Sequence, residues 1–339
     1  LSLNFDVINK GDFRFNIGAI YNYNRNKLDE LPNADQYLYS SYWGSSSLVP
    51  TNDYMFVEGK AIGLVRGFVS EGFYTVNDFR YENGQYILKE GIPDITKALT
   101  ATYMHPFNIP NGQTAFPGAA KFRDVNNSGT VDLDDATCLG EVMPRHTGSF
   151  QLNFNYKNFD LSSNFNWTAG GKVYNVAAMI NASGQEFDGI GAQRTSWVAD
   201  TYKVYNVNSS GDLYAVTDPN ELNALNANAK YHLPYHQSGI TSSEWLEDGS
   251  YLRLQTLTLG YTLPHTVLNK IHIEKLRIYL TATNLFTITG YSGIDPEVNA
   301  TPTGQSGFYS NLRVFPTLNM DFGTYPRART FTLGANITF

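Results

Sequence analysis

Apolar and polar residues alternate strictly in several separate stretches of this chain, and a period of two specifies β-strands with one apolar and one polar face. From 13 to 24 one face reads Phe13, Phe15, Ile17, Ala19, Tyr21, Tyr23, and the other Arg14, Asn16, Gly18, Ile20, Asn22, Asn24. The apolar half returns as Phe150, Leu152, Phe154, Tyr156, then as Phe159, Leu161, Ser163, Phe165, Trp167. It recurs as Leu276, Ile278, Leu280, Ala282, and closes the chain as Phe331, Leu333, Ala335, Ile337, Phe339. The pattern predicts strands near 1–9, 12–25, 147–156, 159–170, 250–263, 273–287 and 328–339. The fifth is the least regular, with a bulge expected near Thr256.

The connections alternate in length. Short ones fall near 10–11, 157–158 and 264–272, and long ones cover 26–146, 171–249 and 288–327. Outer-membrane barrels have this asymmetry, with short periplasmic turns and long extracellular loops. In that topology the seventh strand runs downward and Phe339 ends at the periplasmic rim. A soluble β-sandwich would show the same alternation. Two features favour the membrane: Tyr21, Tyr23, Tyr156, Trp167, Tyr251 and Tyr261 sit near strand ends, as an interfacial girdle would, and the opposite face is Asn, Ser, Thr and Gln, suited to a watery lumen. Seven strands cannot close a bacterial barrel, so the chain is expected to be a piece of something longer, completed by strands upstream of Leu1.

Composition narrows the function. With 24 Lys+Arg against 31 Asp+Glu the net charge is −7, so the basic footprint of a nucleic-acid binder is missing. No apolar run approaches the roughly 18 residues of a membrane-spanning helix. One cysteine, Cys138, rules out an intrachain disulfide framework and reads as a small buried hydrophobe.

One stretch carries site chemistry. Asp124, Asn126, Ser128, Thr130 (through its carbonyl), Asp132 and Asp135 stand at positions 1, 3, 5, 7, 9 and 12 of an EF-hand-type loop, with Gly129 at the sharp turn. Calcium takes hard oxygens at this spacing because the backbone wraps round the ion. Val131 would be the apolar anchor, and Asp135 stands where a bidentate Glu is usual. The expectation is a structural Ca2+ bracing a long loop; the alternative is a metal-free hairpin turn rich in Asp, Asn and Gly.

Other candidates carry less. His232 and His236 have i, i+4 spacing, but Pro234 forbids a regular helix between them. Carboxylates such as Glu186, Asp188, Asp200, Glu244, Glu247 and Asp248 are plentiful, yet no spacing singles out a glycosidase pair, so no catalysis is expected. The long loops are aromatic: Tyr37, Tyr39, Tyr42 and Trp43; Trp197, Tyr202 and Tyr205; Tyr231, Tyr235 and Trp245. Most are expected to give those loops a core of their own. The first cluster (Tyr37, Tyr39, Tyr42, Trp43) is the candidate for ligand contact.

Several segments, in order along nearly the whole chain, resemble the SusC/RagA family of TonB-dependent outer-membrane transporters of the Bacteroidetes. They are Glu58-Gly-Lys-Ala-Ile-Gly63 with Gly72-Phe-Tyr74, Lys121-Phe-Arg-Asp-Val-Asn-Asn-Ser-Gly-Thr-Val-Asp132, Tyr156-Lys-Asn-Phe-Asp-Leu161, 250–264, Asn284-Leu-Phe286 running to Asp295-Pro-Glu297, and 325–339 with its terminal Phe. The resemblance implies the C-terminal part of an all-β, 22-strand transmembrane barrel, without its plug. It also implies nutrient import, of oligosaccharide or peptide, with a SusD-like surface lipoprotein as lid and TonB acting through the plug. The implied partners are the remaining N-terminal portion, the lid, the lipid bilayer and the substrate. The implied location is the bacterial outer membrane. Arg14, Asn153, Asn155, Asn164, Asn166, Arg277 and Tyr279 would face the lumen, lining the path or gripping the plug. The alternative is a secreted or surface-bound, calcium-braced carbohydrate-binding β-sandwich.

Overall fold

The computed structural model describes residues 1–32, 34–41, 48–100, 105–183, 195–233, 239–268, 273–298 and 319–339. Its backbone is organised by one seven-stranded antiparallel sheet: β1 (Ser2–Lys10), β2 (Phe13–Tyr23), β3 (His146–Tyr156), β4 (Phe159–Ala169), β5 (Tyr251–Thr262), β6 (Lys275–Thr289) and β7 (Thr330–Thr338). Spatial order equals chain order, so every strand pairs with its sequence neighbour among the seven. The strands fall where the alternation puts them, within a few residues at each end.

Register carries the alternation across the whole sheet. Ile8, Phe15, Phe154, Leu161, Leu259, Leu280 and Leu333 stand opposite one another in a single row, one from each strand. The next row is Asn9, Arg14, Asn155, Asp160, Gly260, Tyr279 and Gly334. A one-residue slip anywhere would mix the two rows, since the side-chain period is two. Cross-strand pairs fix it: the Phe15 and Phe154 rings stack at 4.2 Å, and Phe150 and Phe165 at 4.5 Å.

Aromatic side chains cluster at both ends of the apolar face. At one end Tyr23 opposes His146, and the Tyr21 hydroxyl meets His146 Nδ1 at 2.8 Å. At the other, Phe13, Tyr156, Phe159 and Tyr261 form one row. Tyr251 departs from the sequence expectation. The register of β5 shifts between Leu254 and Thr256, where the bulge was expected, and this puts Tyr251 and Arg253 on the polar face. Below the bulge odd residues are apolar-facing, and above it even ones are.

The packed cores lie in the connections, not under the sheet. One gathers Phe68, Tyr74, Phe79, Tyr86, Phe116, Phe122 and Val131 with Tyr202, Leu222 and Ile240. A second gathers Tyr39, Tyr54, Val65, Tyr174, Met179, Trp245 and Met320. Each joins segments from different long connections, so the loops pack into one another. The apolar face of the sheet stays open by contrast: Leu333 is 76% exposed and Leu280 46%.

A buried ion network ties sheet to loop. The Arg253 side chain is 3% exposed and donates to Thr287 Oγ1 (3.1 Å), Glu297 Oε2 (3.1 Å) and Asp295 Oδ1 (2.5 Å). Arg327, just before β7, reaches Glu297 Oε1 at 2.8 Å. Removing one partner of a buried pair strands the other charge. Arg253→Ala should therefore destabilise the protein by ~3–5 kcal/mol. Arg277→Gln, which breaks the more exposed pair with Asp160, should cost about 1 kcal/mol or less. Denaturant midpoints of the purified variants give the comparison, and equal losses would show that burial does not set the difference.

Candidate functional site

Polar surface on the sheet comes from the same register that makes its apolar face. Arg14, Asn153, Asn155, Asn164, Asn166, Arg277 and Tyr279 all fall on that one polar face. Short polar side chains link across strands there. Ser162 Oγ donates to Asn153 Oδ1 (2.8 Å), Asn166 Nδ2 to Gln255 Oε1 (2.6 Å), and the Thr258 and Thr281 hydroxyls meet at 3.0 Å. Such a surface carries cross-strand bonds of its own and remains wettable.

Among the described residues, the charged bridge between strands of this face reaches across three of them. Arg277 on β6 donates from Nε to Asp160 Oδ1 (2.9 Å) and from Nη2 to Oδ2 (2.5 Å) on β4. Between them lies Gly260 of β5. A Cβ there would sit 2.5 Å from both Arg277 Nη2 and Asp160 Oδ1, so only glycine leaves the pair room to close. The Tyr279 ring lies over Gly334 in the same way, with Cζ 2.4 Å from where a Cβ would be. Asp160 stands on the polar face, as the alternation predicts, but its pairing with Arg277 and the need for Gly260 between them were not read from the sequence. The signal for Gly260 was a glycine inside a strand pattern, which marks a close approach.

The loop from Asp124 to Asp135 closes on its own hydrogen bonds. Asp135 is fully buried. Its Oδ1 accepts from the Val125 and Asn126 N–H groups (2.7 and 3.2 Å), and its Oδ2 accepts from Asp132 N–H (2.9 Å). Asp124 Oδ1 accepts from Ser128 N–H (3.1 Å) and Oδ2 from Gly129 N–H (2.7 Å), while Asn126 Oδ1 takes a second bond from Ser128 N–H (2.8 Å). The Thr130 carbonyl accepts from Ser128 Oγ (2.8 Å). Asp132 caps the following turn, accepting from Asp134 N–H at 2.8 Å. Val131 is buried in the first loop core. Asp135, with three N–H donors on its two oxygens, has too few lone pairs left for bidentate ligation. Among the described residues no group of three His, Cys, Asp or Glu gathers to hold a metal. The loop's carboxylate oxygens thus meet its own N–H groups, the arrangement of the self-capped turn.

The aromatic candidates separate. Tyr39 is buried and stacks on Phe56 at 4.7 Å and Tyr54 at 5.6 Å. Burial, and then the neighbouring Asp53 carboxylate, push the Tyr39 and Tyr54 phenols well above their ordinary range, so both stay neutral. Tyr39 therefore packs the loop and has no face free for a ligand, a correction that follows from its inward position in the strand Gln36–Tyr39. Tyr37, two residues earlier, is exposed. Tyr42 and Trp43 lie outside the described residues. Tyr202 and Trp245 are buried in the loop cores, and Tyr205 is exposed.

His232 is buried, 3.6 Å from Glu244, while His236 and Pro234 lie outside the described residues. Cys138 is exposed where a buried position was expected, because its strand, Thr137–Glu141, is an edge strand paired, among the described residues, only with Leu64–Gly67.

Asp135→Ala should leave three N–H groups without acceptors, at ~1–3 kcal/mol each, and open 120–140 to protease. Chelator should leave cleavage of the unsubstituted protein unchanged; faster cleavage with chelator would reinstate the ion.

No family model matches the chain. Among curated proteins it is 27% identical over 338 residues to TonB-dependent receptor P3 of Formosa agariphila, covering 100% of this chain and 28% of that one. TonB-dependent receptor P26 of the same organism is 30% identical over 223 residues, covering 66% of this chain and 20% of that one. TonB-dependent receptor SusC of Bacteroides thetaiotaomicron is 23% identical over 345 residues, covering 100% and 26%. The chain thus spans little more than a quarter, at most, of the length of these relatives. Among solved structures, that of the RagAB peptide transporter aligns with a TM-score of 0.61 at 18% identity, over 100% of this chain and 28% of the other. The RagAB peptide importer in the "open-open" state aligns at 0.57 and 20% identity, with the same coverage.

Proposed function

We propose that this chain, a homologue of the C-terminal part of TonB-dependent receptors, builds the closing wall and the loop surface of an outer-membrane nutrient importer. Its polar face would look into the lumen and its apolar face into lipid. The long connections would stand on the outside, with Phe339 at the periplasmic rim.

One observation carries this reading: an open apolar face bounded by aromatic residues at both ends. From Phe13 to Tyr23, and from Tyr156 back to His146, each strand advances ten residues. At about 3.3 Å per residue that is ~33 Å of strand. Tilted by ~40°, it spans ~25 Å, the height of the apolar band of outer-membrane barrels. A soluble sandwich needs a second sheet over the apolar face. Here the packed cores belong to the loops, and the exposure of Leu259, Leu280, Phe331 and Leu333 supports lipid contact.

Import would run through a plug and a TonB contact in the remaining portion of the transporter. A surface lipoprotein would serve as lid, and an oligosaccharide or peptide as cargo. The polar face suits a permeation wall, since its hydroxyl and amide groups can exchange partners with a passing solute. Arg277 and Asp160, bonded to each other across Gly260, hold the wall's shape and are not expected to select the cargo. None of these groups is asked to do covalent chemistry.

Adjacent residues of β7 test the assignment of faces. Leu333→Arg should cost ~2–4 kcal/mol at mid-membrane and deplete the protein from the outer-membrane fraction. Thr332→Lys, pointing the other way, should leave assembly intact. Equal recovery of both variants would count against the barrel reading.

A further inference from the structure

Glu58-Gly-Lys-Ala-Ile-Gly63 has no role in the wall, yet the fold brings it beside the outer ends of β2 and β3. There a cavity of about 180 Å³ is lined by Arg25, Lys27, Lys60 and Arg145, with Glu141 as its one carboxylate. Four cations converge in this way on a chain whose net charge is −7.

Backbone bonds hold the walls. Leu28 N–H donates to the Lys60 carbonyl and Gly59 N–H to the Leu28 carbonyl, both at 2.8 Å, and Asn24 N–H donates to the Arg145 carbonyl at 2.9 Å. Asn26 locks the floor: its Oδ1 accepts from Ile62 N–H at 2.7 Å. Like charges repel, so a rigid backbone that collects four of them works against itself unless an anion relieves it. Arg145 is paired with the half-buried Glu141 at 2.7 Å, and Lys27 makes a long, exposed contact with Asp29 at 3.7 Å. Among the described residues no carboxylate pairs with Arg25 or Lys60.

We infer that this pocket binds a phosphate group. A single carboxylate ligand would leave most of the excess charge standing. A phosphomonoester carries between −1.5 and −2 near neutral pH and three acceptor oxygens, and Arg matches it bidentately. The position, one or two residues beyond the aromatic end of β2, would suit the phosphorylated headgroup of an outer-leaflet lipid. A soluble phosphate offers the same chemistry. Only the lipid source rests on the outer-membrane reading; the pocket does not.

The test uses the whole protein that contains this chain, in non-ionic detergent and free of phosphate buffer. Inorganic phosphate is titrated by ³¹P NMR into the wild type, the double variant R25Q/K60Q, and the control R80Q. Arg80 lies on a separate hairpin with its own partner, Glu82. Phosphate should bind the wild type and the control alike, more weakly as salt rises, and at least ~10-fold more weakly in the double variant, as expected for losing charge-assisted bonds. Co-purified lipid is counted by mass spectrometry in the same samples. A parallel loss of phosphorylated lipid in the double variant identifies a headgroup as the ligand, and unchanged lipid with weakened phosphate identifies a soluble one. No phosphate binding by the wild type, or equal binding by the double variant, overturns the proposal. Recovery of the protein in the soluble fraction would remove the outer-membrane reading and the lipid source, while the titration would still report on the pocket. Both substituted side chains are exposed and, among the described residues, pair with no carboxylate, and an unchanged gel-filtration profile verifies the fold of each variant.

Discussion

Backbone pairing in a single register is the constraint on which the other features depend. Side chains on neighbouring strands share a face only while the pairing holds, and here it holds from β1 to β7. The row from Ile8 to Leu333 and the row from Asn9 to Gly334 are both consequences. So is the Arg277–Asp160 bridge, which needs a glycine on the strand between its partners. The face assignment changes within a strand at two shifts of register, in β1 between Asp6 and Ile8 and in β5 at its bulge, and the second is used: it turns Arg253 toward Asp295 and Glu297.

The molecule divides its stabilising work between two kinds of packing. Within the sheet, adjacent strands satisfy each other's N–H and C=O groups, which a lipid environment would demand of any wall. In the long connections, aromatic clusters bury Tyr54, Tyr74, Tyr86, Tyr174, Phe68, Phe116 and Phe122 almost completely. Because each cluster draws on more than one connection, the loops brace one another. Arg253, Asp295, Glu297 and Arg327 then couple that superstructure to β5, β6 and the approach to β7.

Much of this was legible beforehand. The seven strands, their apolar faces, the bulge near Thr256 and the shared face of Arg14, Asn153, Asn155, Asn164, Asn166, Arg277 and Tyr279 all follow from a period of two, which is local information. What failed depended on partners distant in sequence. Tyr251 was assigned to the girdle because a bulge was foreseen but its effect on parity was not applied. Tyr39 was offered as a ligand contact because an aromatic in a polar loop reads the same whether it faces solvent or another loop. The spacing from Asp124 to Asp135 was expected to hold calcium, and the loop's carboxylates accept from its own N–H groups. Spacing alone does not say whether carboxylate oxygens meet an ion or the loop's own N–H groups.

The sequence by itself therefore determined the strands, their two faces and the order in which they pair, because alternation and short turns are written in neighbouring residues. Tertiary structure alone decided that Asp160 meets Arg277 over Gly260, a sequence separation of 117. It likewise decided that Asp135 is buried as a hydrogen-bond hub, and that Arg25, Lys60 and Arg145 surround one cavity. Charge pairing and burial act through space. Their partners come from segments that carry no mark of one another along the chain.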